Sequence, residues 1–127
     1  MVFTDFDHQK KILITRFEGD VELIEIIDYI NATRDNKSYP RGLRILTDSR
    51  KSNMLITPDE IPAIVEANNR SLKNYTFIID AIILENPHDT AMSYLFQELS
   101  KTRNYFFEIF ASYEAANEWL LSMQPKL

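Results

Sequence analysis

The chain has no cysteine, two glycines, two histidines and one tryptophan, and each shortage closes off some chemistry. Without cysteine there is no disulfide, no thiolate nucleophile and no cysteine-ligated zinc, and a reducing compartment is expected, the cytoplasm by default. His8 and His88 lie far apart in the chain and neither has a companion at ligand spacing, so no metal site and no cofactor are expected. No phosphate-binding motif stands out. Lys and Arg number 14 against 19 Asp and Glu, a net charge of -5, which repels phosphate backbones and argues against nucleic-acid binding. No apolar run approaches membrane-spanning length, so membrane insertion is not expected. Met1 to Asp7 has two aspartates and no basic stretch before an apolar run, unlike a secretory signal.

What is present fits one α/β domain over residues 1–127, whose 45% apolar content is enough for a single core without staples. Val2 to Asp7 and Lys11 to Phe17 read as an antiparallel hairpin around His8-Gln9-Lys10, with Ile12 and Ile14 on one face, Leu13 and Phe17 on the other. Gly19-Asp20 ends that strand and offers a cap for a first helix, Val21 to Arg34, with Val21, Ile24, Ile27 and Ile30 at helical spacing. Leu43 to Asp48 is a short interior strand. Thr57-Pro58-Asp59-Glu60 combines a cap, a proline at the first helical position and a glutamate three residues on, the start of a second helix that buries Ile61, Ile64, Val65 and Leu72.

Thr76 to Leu84 is apolar at nearly every position, as in a strand covered on both faces, with Asp80 its sole charge. Asn86-Pro87-His88-Asp89 repeats the capping device and opens a third helix whose buried stripe is expected to be Met92, Leu95, Phe96 and Leu99. Tyr105 to Phe110 is the last strand. Ser112 caps a fourth helix with Ala115, Ala116, Trp119, Leu120 and Met123 inward. The sum is a mixed sheet of about five strands, the hairpin antiparallel and the rest largely parallel, with four helices.

That order, with the terminal stretch Ser112-Tyr113-Glu114-Ala115-Ala116-Asn117-Glu118-Trp119-Leu120, resembles the SpoIIAA-like or STAS superfamily, whose sheet of four or five strands is packed by four helices. The resemblance implies a non-enzymatic regulatory or protein-interaction module, acting on a protein partner or on itself as a homodimer. Its CRAL-TRIO relatives imply the alternative, a carrier or sensor of a small apolar or anionic ligand. Anti-sigma-factor antagonists of this superfamily carry a phosphorylatable serine in a D-S-[ST]-G motif at the second helix. Here that stretch is Met54-Leu55-Ile56-Thr57-Pro58, without glycine, while Asp48-Ser49 continues as Arg50-Lys51. Thr57 is read as a helix cap.

In an open α/β sheet, ligands and partners meet the carboxyl ends of the parallel strands. This marks Asp48, Ser49, Arg50, Glu85, His88 and Ser112 as a candidate edge. His88, in a helix's first turn, is expected to be a solvated, neutral imidazole, and a hydrolytic site would need it beside Asp48. Asp80, costly to bury alone, is expected to pair with Arg44 on the neighbouring strand. Lys37, Arg41, Arg50 and Lys51 offer a small basic edge. Phe96, Phe106 and Trp119 could line an apolar pocket, and Tyr105, Phe107 and Phe110 add to the same aromatic third of the chain.

Overall fold

Strand alternation decides which way each helix goes. The computed structural model describes residues 1–126, so Leu127 of the expected domain lies outside the described residues. The elements are β1 (Val2–Asp7), β2 (Ile12–Glu22), α1 (Leu23–Asp35), β3 (Gly42–Leu55), α2 (Ile61–Leu72), β4 (Phe77–Ile83), α3 (Pro87–Leu99), β5 (Tyr105–Phe110) and α4 (Tyr113–Ser122). The sheet runs in the order β1-β2-β3-β4-β5, with β1 antiparallel to β2 and each later pair parallel. Leu13, Ile45, Ile78 and Ile82 point to one face, where α1, α2 and α3 lie. Ile12, Leu46, Ile79, Ala81 and Ile83 point to the other, where α4 presents Ala116 and Leu120. The apolar run of β4 is thus covered on both sides, as its composition requires.

Two strands are longer than their local sequence suggests. β2 continues through Gly19 and Asp20 to Glu22, paired residue for residue with Lys51–Leu55 of β3. Gly19 adopts φ +68°, a conformation glycine reaches without strain. The helix therefore starts at Leu23, capped by Glu22, whose backbone N–H donates to the Glu25 carboxylate at 2.9 Å. Mutual pairing of two extended segments overrides the turn signal at Gly19-Asp20. Arg16 pairs with Asp48 and Glu18 with Lys51, so Ser49 and Arg50 share one opposing residue; this bulge bends β3 where the main sheet ends.

Several helix faces also differ from the apolar pattern. In α1 the inward residues are Ile26, Tyr29, Ile30 and Thr33, while Ile24 is 59% exposed. In α3 the expected Met92, Leu95 and Phe96 pack against the core, but the most deeply buried residues are Asp89 and Ser93, and Leu99 is 50% exposed. Ala115 of α4 faces solvent. At Thr57 the expected reciprocal cap forms, with its N–H donating to Glu60 at 3.0 Å, and the hydroxyl also turns onto Asp59 and Glu60. A single 3-10 turn, Pro58–Glu60, then leads into α2.

Candidate functional site

The helices of the first face do not close fully on the sheet. Between them lies a cavity of about 90 Å³. Its floor is Ile45 and Thr47 of β3, Ile78, Asp80 and Ile82 of β4, and Tyr105 and Phe107 of β5. Its roof includes Tyr29 and Thr33 of α1, Ile64, Asn68 and Ser71 of α2, and Ser93 and Phe96 of α3. Tyr29, Ile30, Phe96 and Phe107 remain partly exposed, so the space is not sealed. The local cause is composition: where a packed layer would put leucine or isoleucine, α2 and α3 place Asn68, Ser71 and Ser93, which are short and leave space.

Asp80 is the one charged side chain among the described residues lining this cavity. Thr47 Oγ1 donates to Asp80 Oδ1 at 3.0 Å, and the Tyr105 hydroxyl approaches Oδ2 at 3.5 Å. Burial pushes the Asp80 carboxyl up to about 7, against the smaller opposing effect of those two hydroxyls. The phenols of Tyr29 and Tyr105 are likewise pushed well up, first by burial and then by the Asp80 charge. Tyr29 shares a 3.0 Å hydrogen bond with Thr15. Asn68, 6% exposed, lines the cavity with an amide nitrogen that has no partner. A buried donor without an acceptor costs roughly 1–3 kcal/mol, so this face carries an unmet polar demand next to an unpaired acid.

Arg44 does not meet Asp80. β3 and β4 register Arg44 with Ile79 and Ile45 with Asp80, one residue away from the alignment that would pair them, and such a slip turns every side chain to the other face. Arg44 instead crosses the α4 side and donates from Nη1 to the carbonyls of Leu120 at 2.7 Å and Met123 at 2.8 Å. It thereby satisfies helix-end carbonyls that no C-terminal glycine caps.

At the expected carboxyl-end site, Asp48, Arg50 and Glu85 lie near one another, while Ser49 is buried and His88 bonds elsewhere. Asp48, Ser49 and Arg50 lie within the extended β3, not in a loop. Asp48 accepts from Arg50 Nε at 3.0 Å and Nη2 at 2.8 Å, bonds that hold its carboxyl below the usual range. Glu85 and Glu114 also lie near enough to act on the Arg50 charge, so this guanidinium is already among acids. Ser49 is 1% exposed with an unpartnered hydroxyl. Ser112 accepts from Ala115 N–H as the α4 cap.

His88 is exposed, as expected, with its side chain 53% accessible, and its ring still meets two acceptors. Its Nδ1 lies 3.0 Å from Asp89 and its Nε2 3.1 Å from the Ile56 carbonyl. Both partners are acceptors, and the ring nitrogen that carries the proton donates to one of them. Asp89, 1% exposed, also accepts from Met54 N–H at 3.2 Å and from Asn86 Nδ2 at 3.0 Å. This network ties the start of α3 to the β3 extension, and Asp48 takes no part in it.

The basic edge separates as well. Arg41 precedes β3 and Arg50 lies within it, nine positions further along the chain, roughly 30 Å in extended backbone. Arg41 is occupied: it donates to the Asn36, Tyr39 and Asn74 carbonyls and lies 4.3 Å from the Tyr75 ring centroid. Of the aromatics, Phe96 lines the cavity, whereas Phe106 and Trp119 pack on the α4 side. Asn68, Ser71 and Ser93, absent from the sequence-based candidates, were visible there as polar residues at inward helical spacing: Ile64-Asn68-Ser71 and Asp89-Ser93-Phe96. No group of three or more His, Asp or Glu among the described residues is placed to hold a metal ion. No helix there is long and apolar enough to cross a membrane.

No family model matches the sequence, and no curated protein does. Among solved structures, an uncharacterized DUF3478-family protein with a SpoIIAA-like fold from Shewanella loihica PV-4 aligns over 94% of this chain and 93% of its own, with TM-score 0.60 and 11% sequence identity. At that identity the likeness concerns architecture and not activity. With a hairpin-led, five-stranded mixed sheet and four helices, this chain has a SpoIIAA-like fold.

Proposed function

We propose that the protein binds a small, mainly apolar molecule in the cavity beneath α1, α2 and α3, as a carrier or sensor. The observation that carries this reading is the pairing of about 90 Å³ of unfilled space with one unmet donor on its wall, the Asn68 amide nitrogen, and with Asp80, a buried acid that has hydroxyl partners but no cation. Binding pockets are typically apolar with a few convergent polar groups that fix orientation. The anionic form of the ligand reading finds no support at this cavity, because Asp80 would repel an anion and no basic side chain among the described residues lines the wall. Native mass spectrometry of the purified protein, with methyl NMR of Ile45, Ile64 and Ile78 during titration with 1-butanol or xenon, tests the reading. Saturable shifts confined to those methyls are expected. Their absence, with no small molecule retained on purification, would overturn it.

The interaction-module reading rests on a different observation. Met1, Ile24 and Leu55 are 65%, 59% and 52% exposed, and they share one end of the molecule. There the Met1 amino group meets Glu25 at 3.4 Å and Leu55 registers with Glu22. Sedimentation of the wild type against Leu55→Asp checks this: a dimer lost on substitution supports self-association, and a monomer at all concentrations counts against it.

A further inference from the structure

We infer, building on the ligand reading above, that the cavity takes a small alkylamine, held as its ammonium by Asp80 and Asn68 with the alkyl body against Phe96 and Phe107. The charge on the wall sets the sign. Asp80 is the one ionisable side chain facing the cavity from β4; α1 and β5 contribute only the phenols of Tyr29 and Tyr105, α2 and α3 only the non-titrating Asn68, Ser71 and Ser93, and β3 Thr47. No cation among the described residues lines the wall to pair with the acid.

The aromatic groups favour a cation too. Phe96 meets Tyr105 and Phe107 edge to face, with centroids 6.1 and 5.1 Å apart, and Tyr105 stacks on Phe107 at 6.1 Å; this cluster borders Asp80, which registers with Phe107 and lies 3.5 Å from the Tyr105 hydroxyl. Ring faces attract an ammonium group, most strongly where water is excluded. An ammonium has three donors and no acceptor. The Asp80 carboxylate takes one or two, and the Asn68 amide, unpartnered at its nitrogen, presents its oxygen by a half-turn about its terminal bond. Size limits the rest: a cavity of about 150 Å³ holds the six heavy atoms of benzene, so one of about 90 Å³ encloses about four heavy atoms of an amine, and a longer chain reaches the unsealed side at Ile30 and Phe107. Amino acids and diamines are excluded by the carboxylate or second charge that would be buried without a partner.

The experiment compares n-butylammonium, 1-butanol and butyrate, matched in length, by methyl NMR titration of the full chain at about pH 8 and about pH 5, where the amine stays protonated. The expected result is amine binding at least tenfold tighter than 1-butanol at the higher pH, and at least tenfold weaker at the lower pH, where Asp80 accepts a proton. In Asp80→Asn the preference for the amine is lost while 1-butanol still binds. Should 1-butanol bind the wild type as tightly as the amine, or butyrate bind tighter, the amine assignment falls and the cavity reading stands. If none of the three probes nor xenon shifts the cavity methyls, both fall. The pH arm uses the wild type alone, so the outcome does not depend on the variant folding.

Discussion

On one side of β4, Ile79, Ala81 and Ile83 meet Ala116 and Leu120 of α4 with no exposed surface on any of the five; on the other, one residue along the same strand, Asp80 faces a cavity of about 90 Å³. The two faces share a backbone and differ in what the helices bring. α4 brings a small residue where it must approach and a large one where it must fill, and Arg44 fastens its end. α2 and α3 bring Asn68, Ser71 and Ser93, too short to reach the sheet and too polar to be indifferent to burial. One face behaves as a core. The other keeps room and polar demand, a combination that lowers stability and suits a ligand.

The largest test of this contrast is a matched truncation. Leu120→Ala should destabilise by about 3–5 kcal/mol, because a close-packed site cannot collapse into the space left behind. Ile64→Ala should cost about 2 kcal/mol, since a side chain bordering a void has fewer contacts to lose. Urea denaturation of the two variants checks the difference, and equal costs would show that the cavity face is as well packed as the other.

Next in size is the pH dependence of the Asp80 face. The carboxyl's folded-state value, about 7, lies above its ordinary 3.8, so the folded state binds the proton more tightly. That contribution is full below about pH 4 and is lost as the pH rises to about 7, by up to about 4 kcal/mol. Asp80→Asn, which keeps the shape of the protonated acid, should flatten the decline and raise stability at about pH 8 by about 1–3 kcal/mol, with little effect near pH 4. Denaturant midpoints across that range decide it; an unchanged slope would mean that another group carries the titration.

How these faces were legible in the sequence follows from the range of each cause. Thr57, Asn86 and Ser112 announce helix starts because capping acts within three residues, and those caps are present. The β4 run from Phe77 to Ile83 announces two-sided burial by composition alone. The register of β3 on β4 has no local cause, since a crossover helix separates the strands, and a slip of one residue misplaced Arg44 against Asp80. The bulge at Ser49-Arg50 and the pairing of Glu18–Glu22 with Lys51–Leu55 are likewise tertiary. The inward stripe of α3 was legible at Met92, Leu95 and Phe96, but Leu99 is exposed and Asp89 and Ser93, which look like surface residues, are buried. Asp89 is buried for its hydrogen bonds to Met54, Asn86 and His88, and Ser93 beside the cavity.

On the packed face, Arg44→Met should cost about 1–3 kcal/mol, the price of leaving the Leu120 and Met123 carbonyls without a charged donor. Hydrogen exchange should show faster opening confined to the last turn of α4, with the cavity face unaffected; protection lost evenly across the sheet would assign Arg44 a wider part.

The smallest expected effect on stability discriminates best between the faces. Asn68→Leu replaces an amide whose nitrogen has no partner with an apolar group that extends into the cavity. It should raise stability by about 1 kcal/mol, by removing an unmet donor and adding contacts. The same idea on the other face, Ala81→Val against fully buried Ala116 and Leu120, should lower stability by about 1–3 kcal/mol, because there is no room. Opposite signs at two positions of one small domain are hard to obtain unless one layer is filled and the other is held open. If Asn68→Leu also abolishes small-molecule binding while it raises the denaturation midpoint, the open space is kept for a ligand at a cost in stability.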